Sequence, residues 1–168
     1  LLDIARIESG RLEMKFEPVA LPELTDSVLD LLAPQIKAKF ITVERNIPQG
    51  LSPAMADKAQ LSRVLINLIG NAIKFVPQEG GTIKISCYES PELVEVDIAD
   101  NGLGLKTEDT TRIFEEFYRV DNLINQKVKG SGLGLPLVKN IITAHKGKIW
   151  VESKLNQGST FCFTLQKP

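Results

Sequence analysis

The sequence is poor in cysteine and histidine. Its two cysteines, Cys87 and Cys162, lie far apart in strand-like segments, which favours buried free thiols over a disulfide or a metal site. The single histidine, His145, stands at a predicted helix end in the run A-H-K-G-K, and we interpret it as a structural or surface residue.

An excess of either charge and long apolar runs are also absent. Lys and Arg total 20 against 21 Asp and Glu, so the net charge is −1, and without a basic excess we expect no nucleic-acid partner. No apolar run reaches the roughly 20 residues that a membrane span needs, and the N-terminus has no signal-peptide pattern. Because the chain opens on Leu1-Leu2 without an initiator Met, we expect a fragment of a longer protein.

What remains is typical of one globular domain, with 43% apolar residues in a chain of 168. The patterns predict both helices and strands, and no strand–helix–strand series repeats regularly, which favours a mixed sheet with helices packed on one face. Helices are predicted at 23–39, at 61–75 and after the glycine run at 130–135. Strands are predicted at 16–21, 41–47, 54–56, 82–88, 93–99, 146–154 and 159–165, with the last four forming two hairpins.

The pattern of residues 1–14 predicts the end of a helix, with one narrow face formed by Leu2, Ala5, Ser9 and Leu12. Two interpretations are open on the pattern alone. The segment is either a capping helix of the same domain or the remaining end of a longer bundle helix.

The helix from Leu61 to Phe75 carries an unusual polar stripe. At about 100° per residue, Gln60, Arg63, Asn67, Asn71 and Lys74 share one face, opposite the apolar residues. A solvated face is the plain interpretation, but such a face favours Lys and Glu over Asn, a poor helix former. Two carboxamides followed by an amine therefore suggest a bound anion with its metal.

Two glycine-rich runs lie downstream of this helix. D-N-G-L-G-L, residues 100–105, follows a strand, and G-S-G-L-G-L, residues 130–135, opens a helix whose free amides would bind an anion. The polar stretch between them, about 106–129, is predicted to be a lid that contains one helical piece, 114–119. A dinucleotide-binding turn is excluded because Leu135 stands where its third glycine belongs, and there is no Walker loop.

These motifs together resemble a known family. N-L-I-G-N-A-I-K-F, D-N-G-L-G-L, F-E-E-F-Y-R and G-S-G-L-G-L are similar, in order and spacing, to the asparagine, first glycine, phenylalanine and second glycine boxes of sensor histidine kinases. The resemblance implies the Bergerat-type ATP-binding fold: an α/β two-layer sandwich with a mixed, mostly antiparallel sheet of about five strands, helices on one face and a mobile lid. Residues 1–15 resemble the end of the dimerisation and phosphoacceptor helix, and 16–168 the catalytic and ATP-binding domain.

The resemblance also implies roles for single residues. Asn71, assisted by Asn67, would hold magnesium against the phosphates of ATP, while Lys74 would meet a phosphate and Phe75 would flank the base. Asp100 would accept a hydrogen bond from the amine of adenine. The other implied ATP-binding residues supply backbone close to the base, amides to the phosphates or lid contacts: Gly102, Gly104, Leu105, Phe117, Arg119, Lys129, Gly130, Ser131, Gly132, Leu133, Gly134 and Leu135.

The family's phosphoacceptor histidine is absent from this chain. The resemblance therefore implies a donor site that binds Mg-ATP and passes the γ-phosphoryl group to a histidine on a separate phosphoacceptor domain, for onward transfer to a response regulator. The parent would be a homodimer and the fragment a monomer. The domain would lie in the cytoplasm, with the cytoplasmic part of a membrane-anchored sensor as an open alternative. Rivals are a nucleotide-binding module without kinase activity, an anti-sigma serine kinase, and the gyrase, mismatch-repair and chaperone ATPases, which carry Glu where this chain has Asn67.

Overall fold

The computed structural model describes residues 2–10 and 12–168. Along the chain the elements are α1 (Leu2–Glu8), β1 (Phe16–Val19), α2 (Leu21–Ala38), β2 (Thr42–Asn46), β3 (Ala54–Asp57), α3 (Lys58–Phe75), β4 (Thr82–Glu89), β5 (Leu93–Asp100), α4 (Thr107–Thr110), α5 (Leu123–Lys127), α6 (Gly134–Ala144), β6 (Ile149–Ser153) and β7 (Ser159–Gln166). Among these described helices, none has the length and apolar character to cross a bilayer.

Five strands form the main sheet in the order β2-β4-β5-β7-β6. Only β2 and β4 run parallel, and the other three pairings are antiparallel. β1 and β3 form a separate two-stranded antiparallel sheet, in which Pro18 is tolerated because β1 is an edge. The structure confirms the predicted mixed, mostly antiparallel sheet and both predicted hairpins.

The core lies between one face of this sheet and helices α2, α3 and α6. Strand alternation places Val94, Val96 and Ile98 of β5 in this core, each at most 1% exposed. On β7, Phe163 lies directly opposite Val96 and is also fully buried. The helices pack on this face because the contact removes apolar surface of both the sheet and the helices from water. This burial stabilises the fold by roughly 25 cal/mol per Å² of apolar surface.

Helix α3 starts and packs as its sequence predicts. Asp57 caps its N-terminus, with its Oδ1 accepting a hydrogen bond from the Gln60 amide at 3.1 Å. The apolar face from Leu61 to Ala72 is buried, which leaves the polar stripe on the opposite side. Cys87 and Cys162 are buried free thiols, as predicted.

Helix α1 is shorter than the predicted 1–14. It ends at Glu8, and Gly10 follows in the left-handed conformation with φ of 65°, a geometry typical of helix ends. Ile4 is buried against the domain, where α1 packs on α6, whereas Leu2 is 73% exposed. Leu1 and Arg11, which the prediction included in this helix, lie outside the described residues. The assignment of 1–15 to a separate domain stays a prediction.

The lid region also differs from its prediction. Residues 114–117 form turns and residues 118–119 have no regular structure, so no helix forms there, and the short helices of the lid are α4 and α5. Phe117 adopts a φ of 62°, which is incompatible with a continuous helix and explains the difference.

Candidate functional site

A cavity of about 350 Å³ lies between α3, the lid, the start of α6 and the meeting point of β5 with β7. Most of the predicted site residues line it: Asn71, Lys74, Phe75, Asp100, Gly104, Leu105, Arg119, Lys129, Gly130, Ser131, Gly132, Gly134 and Leu135. Four predicted residues do not line it, namely Asn67, Gly102, Phe117 and Leu133. The predicted motifs therefore converge on one cavity although the outermost of these residues, Asn71 and Leu135, lie more than 60 positions apart in the sequence.

Sequence reasoning missed several lining residues. These are mostly apolar or lid residues: Ala72, Ile113, Tyr118, Val120, Asn122, Asn125, Val128, Pro136, Ser159 and Phe161. Ala72 and Pro136 adjoin motif residues and could have been inferred from them. Ser159 enters the site only because it pairs with Asp100 across the sheet, a register that no local pattern reveals.

The Asp100 carboxyl group lines the cavity on its sheet side, where β5 ends, and we call this part of the cavity the Asp100 end. Its Oδ1 accepts a hydrogen bond from the Gly102 amide at 2.8 Å. Burial raises the pKa of Asp100, and hydrogen bonds with the backbone of Gly102 and Ser159 oppose that rise. A half-buried acceptor in this position suits a ligand that offers an N–H donor.

The glycines after Asp100 are required by close backbone contacts. A Cβ at Gly102 would lie 2.5 Å from the carbonyl oxygen of Phe75. A Cβ at Gly104, whose φ is 65°, would lie 1.9 Å from the carbonyl oxygen of Lys154. Packing of this loop against α3 and the β6–β7 turn thus gives a reason for both glycines that involves no ligand.

The polar stripe of α3 serves two different neighbours. Its first part faces α1, where Arg63 forms an ion pair with Asp3 at 2.9 Å. Its last part, Asn71 and Lys74, lines the cavity. The stripe is therefore neither a plain solvated face nor wholly a ligand site.

Asn67 lies between these two parts. Its Nδ2 donates to the carbonyl oxygen of Arg63 at 2.8 Å, which fixes the orientation of the carboxamide. Its Oδ1 faces the start of α6, since a Cβ built on Gly134 would lie 2.8 Å from it. Asn67 thus presents a carbonyl oxygen, the atom type that a hard cation binds.

Two cations meet on the lid side of the cavity, and we call this part of the cavity the Lys74 end. Lys74 Nζ donates to Asn125 Oδ1 at 2.6 Å, and Arg119 Nη2 donates to the carbonyl oxygens of Asn125 at 3.0 Å and Val128 at 2.7 Å. Burial, followed by the charge of Arg119, lowers the pKa of Lys74. Positive charge gathered in a partly buried place suits an anionic ligand.

The second glycine run connects the lid to α6. The Phe117 amide donates to the Gly132 carbonyl oxygen at 3.1 Å, and a Cβ at Gly132, whose φ is 72°, would lie 2.8 Å from Phe117 Cα. The Phe117 side chain is 61% exposed and does not line the cavity. The first turn of α6, with Pro136 in it, borders the cavity beside Gly134 and Leu135.

His145 is a structural residue, as predicted. It is 2% exposed, its Nε2 accepts a hydrogen bond from the Asp57 amide at 3.0 Å, and its Nδ1 donates to the Ile141 carbonyl oxygen at 2.7 Å. Burial lowers its pKa, so the ring is neutral at pH 7. The Nε2 bond joins the end of α6 to the N-terminus of α3, and the Nδ1 bond within α6 fixes the orientation of the ring.

Comparison with known proteins agrees with this geometry. Residues 56–168 match the family described as histidine kinase-, DNA gyrase B-, and HSP90-like ATPase. The adaptive-response sensory kinase SasA of Gloeothece citriformis is 38% identical over 166 residues, which cover 98% of this chain and 42% of that protein. The chain thus spans less than half the length of that relative.

Solved structures of two further kinases share the fold. The catalytic domain of histidine kinase ThkA is 32% identical with a TM-score of 0.80, and the match covers 92% of this chain and 99% of that domain. Full-length ShkA in complex with AMPPNP is 30% identical with a TM-score of 0.86, over 99% of this chain and 34% of ShkA. ThkA in complex with the response regulator TrrA is 28% identical with a TM-score of 0.78, over 99% of this chain and 47% of that one.

The match to the family extends from the end of β3 to residue 168 and so contains every element that lines the cavity. The ThkA domain matches over nearly its whole length. The chain belongs to the histidine kinase-, DNA gyrase B- and HSP90-like ATPase family, and it is the ATP-binding catalytic part of a histidine kinase.

Proposed function

We propose that this chain binds Mg-ATP and donates the γ-phosphoryl group to a histidine of a phosphoacceptor domain. The observation that carries the proposal is the polarity of the cavity. It has a half-buried carboxyl group on its sheet side, Asp100 at the Asp100 end, and two cations on its lid side, Lys74 and Arg119 at the Lys74 end. A purine base with an exocyclic amine fits the first end, and a triphosphate fits the second.

Each end has a defined task in this proposal. Asp100 accepts a hydrogen bond from the amine of adenine, Phe75 flanks the base, and Leu105 and Phe161 contribute apolar lining. Lys74 and Arg119 neutralise the phosphates, and the glycine run at 130–135 offers amides to them. Lys129, beside Gly130, reaches the terminal phosphate.

The donor atoms at the start of α6 fit magnesium. Asn67 Oδ1 faces Gly134, and Asn71 lines the cavity one helical turn further along α3. Mg²⁺ prefers oxygen ligands and commonly takes few protein ligands beside those of the phosphates. The metal would neutralise charge on the phosphates, and the two carboxamides would hold it there.

The same residues favour transfer to histidine over hydrolysis. Among the described residues that line the cavity, Asp100 is the only acid, and it lies at the base end. Asn67 has no basic lone pair with which to activate water. In transfer, an imidazole nitrogen of the acceptor attacks the γ-phosphorus, the bond to the β–γ bridging oxygen breaks, and ADP leaves.

The partners follow from this chemistry. Residues 1–15 would join the domain to its own dimerisation and phosphoacceptor domain, which makes the parent a homodimer and leaves this chain a monomer. The complex of ThkA with TrrA supports a response regulator as the final phosphoryl acceptor. We place the domain in the cytoplasm, because ATP and response regulators are found there.

Transfer in trans tests the proposal. The chain is incubated with γ-labelled ATP, magnesium and a phosphoacceptor domain from a related histidine kinase. We expect slow labelling of that domain, since the two parts lack the proximity of one chain, and no self-labelling. The same acceptor with its histidine replaced by alanine is the control. Labelling of His145, or rapid ATP hydrolysis without transfer, would contradict the proposal.

A further inference from the structure

The amine of Lys39 is bound to the C-terminal end of α3, the helix that carries Lys74 and Phe75. Its Nζ donates to the carbonyl oxygens of Ile73 at 2.8 Å, Lys74 at 3.1 Å and Val76 at 2.8 Å. Three acceptors require three N–H donors, and a lysine supplies three only when its amine is protonated. One ammonium group therefore satisfies several of the carbonyl oxygens that a helix end leaves without partners.

The backbone around Lys39 is fixed by a tight turn at the end of α2. Phe40, the next residue, has a φ of 52° and is 83% exposed, an uncommon conformation for a bulky side chain. The Ile41 amide closes the turn by donating to the Ile36 carbonyl oxygen at 3.1 Å. Burial lowers the pKa of Lys39, which agrees with an ammonium group that has exchanged water for carbonyl oxygens. Helix α2 thus presents this amine to α3 from a fixed position.

The last turn of α3, which Lys39 holds, borders the Asp100 end of the cavity. Phe75 lines the cavity, and its two neighbours in the chain, Lys74 and Val76, supply carbonyl oxygens to Lys39. The carbonyl oxygen of Phe75 itself lies against Gly102, where an added Cβ would come within 2.5 Å of it. Gly102 in turn donates its amide to Asp100 Oδ1 at 2.8 Å. Phe75 and Asp100 are therefore joined through Gly102, and the position of the last turn sets the distance between them.

We infer that Lys39 is a positioning residue for base recognition, whose ammonium group acts as a tethered monovalent cation that holds Phe75 opposite Asp100. The inference rests on the proposed function and adds a determinant from outside the cavity, since Lys39 does not line it. Without the amine, carbonyl groups at the negative end of the helix dipole lose their common donor, and the turn adopts other conformations. A base then binds only the molecules that still hold the turn in place, and its apparent affinity falls in proportion.

Removal of the amine tests this role. In Lys39→Ala, adenosine and ATP should both bind about 3- to 10-fold more weakly, and by factors that agree within about twofold, because both ligands carry the base. Lys39→Met keeps the apolar part of the side chain and should show the same loss, so the test stands if Lys39→Ala does not fold. Calorimetric titrations measure both ligands at a temperature where circular dichroism shows each variant to be folded.

Lys37→Ala and Lys37→Met are the matched controls. Lys37 is an exposed lysine in the last turn of the same helix, α2. Each control variant makes the same chemical change without touching α3, so it should bind adenosine and ATP within about twofold of wild type.

Chemical rescue separates positioning from a general loss of stability. Propylammonium has the carbon atoms and the ammonium group that Lys39→Ala removes, so it should restore adenosine and ATP binding to this variant in a saturable manner. It should not restore binding to Lys39→Met, whose longer side chain still fills the space. Tetramethylammonium carries the same charge without N–H donors, and at equal ionic strength it should restore neither variant.

Several results would overturn the inference. Unchanged adenosine binding by folded Lys39→Ala would limit Lys39 to a structural role, and a loss confined to ATP would show that its charge acts on the phosphates. Equal rescue by the two cations, or no rescue by propylammonium, would exclude hydrogen bonds to the carbonyl oxygens as the cause.

The outcome for the proposed function is separate. If phosphoryl transfer in trans fails while adenosine and ATP binding follow the expected pattern, the proposed transfer is wrong and the role of Lys39 stands. If transfer succeeds while Lys39→Ala binds adenosine as the wild type does, the proposed function stands and the role of Lys39 is wrong. If the wild type binds neither ligand, both are wrong.

Discussion

The two ends of the cavity are built in different ways. At the Asp100 end the contacts are formed largely by backbone at the ends of strands: Asp100 is held by the Gly102 amide, and Gly104 fits against the Lys154 carbonyl oxygen. At the Lys74 end the contacts are made by long side chains and a five-residue helix of the lid. The first end is held mainly by backbone of the sheet, whereas the second is held by side-chain contacts with the lid.

The difference follows from where each end sits in the fold. The Asp100 end belongs to the central sheet, whose hydrogen bonds break only when the domain unfolds. The Lys74 end depends on rotamers and on a lid with few buried residues, which can rearrange at small cost. Substitutions at the first end should therefore change stability or base choice, and those at the second should change phosphate affinity.

The largest effect should come from Gly104→Ala. A Cβ 1.9 Å from the Lys154 carbonyl oxygen, at a φ of 65°, forces the backbone to move. We expect the free energy of unfolding to fall by about 2–4 kcal/mol, as measured by urea denaturation. Gly70→Ala is the matched control on α3, where nothing lies within 4 Å of the added atom, and it should raise stability by about 0.5–1 kcal/mol. Equal stability of Gly104→Ala and wild type would show that this end is not rigid.

The second-largest effect should be a change in the preference for ATP over GTP in Asp100→Asn. Loss of a charge-assisted hydrogen bond with the amine of adenine costs roughly 1.5–3 kcal/mol, so ATP should bind about 10- to 100-fold more weakly. GTP, which offers a carbonyl at that position, should bind the wild type poorly and the variant comparatively better, because a carboxamide can donate. Titration of ATP and GTP into the wild type and into Asp100→Asn measures the difference in affinity between the two nucleotides. If the two proteins bind ATP equally, Asp100 only shapes the turn before Gly102.

Lys74→Met should separate the two ends. The variant keeps most of the length of the side chain but loses its charge, so ATP should bind about 10-fold more weakly while adenosine binds within about twofold of wild type. Calorimetric titration with the two ligands tests this, and Lys84→Met, an exposed lysine on β4, is the control. An equal loss for adenosine and ATP would mean that the two ends are not independent.

The smallest effect should be a pH dependence of stability that arises outside both ends, at His145. Burial lowers the pKa of this imidazole in the folded state, whereas the unfolded chain binds the proton near pH 6.5. Its stabilising contribution is therefore complete above about pH 6.5 and is lost as the pH falls towards the folded pKa, by at most about 1.4 kcal/mol per pH unit.

The difference in stability between wild type and His145→Gln reports the titration of His145, because the raised pKa of Asp100 is common to both proteins. Urea midpoints measured from pH 7.5 to 5.5 should fall more steeply for the wild type. Parallel curves would remove His145 as the cause.

Much of this protein is determined by local sequence. The Asp57 cap, the two-faced pattern of α3, the alternating strands and the four ordered motifs depend on residues within a few positions of one another, so they predict the fold and most of the cavity lining. The predictions of helix at 1–14 and at 114–119 were wrong. A positive φ at Gly10 and at Phe117 interrupts the helix in each case, and a hydrophobic pattern does not reveal such a φ angle.

Other features were decided only by tertiary structure. Sequence spacing does not reveal that Arg63 binds α1, that Ser159 lies opposite Asp100, that Gly104 meets Lys154, or that Asn125 joins Lys74 to the lid. Each of these contacts joins segments about 50 or more residues apart. Local propensity sets which elements form, whereas the packing of their apolar faces sets which distant polar atoms meet, and it is this packing that makes separate motifs into one site.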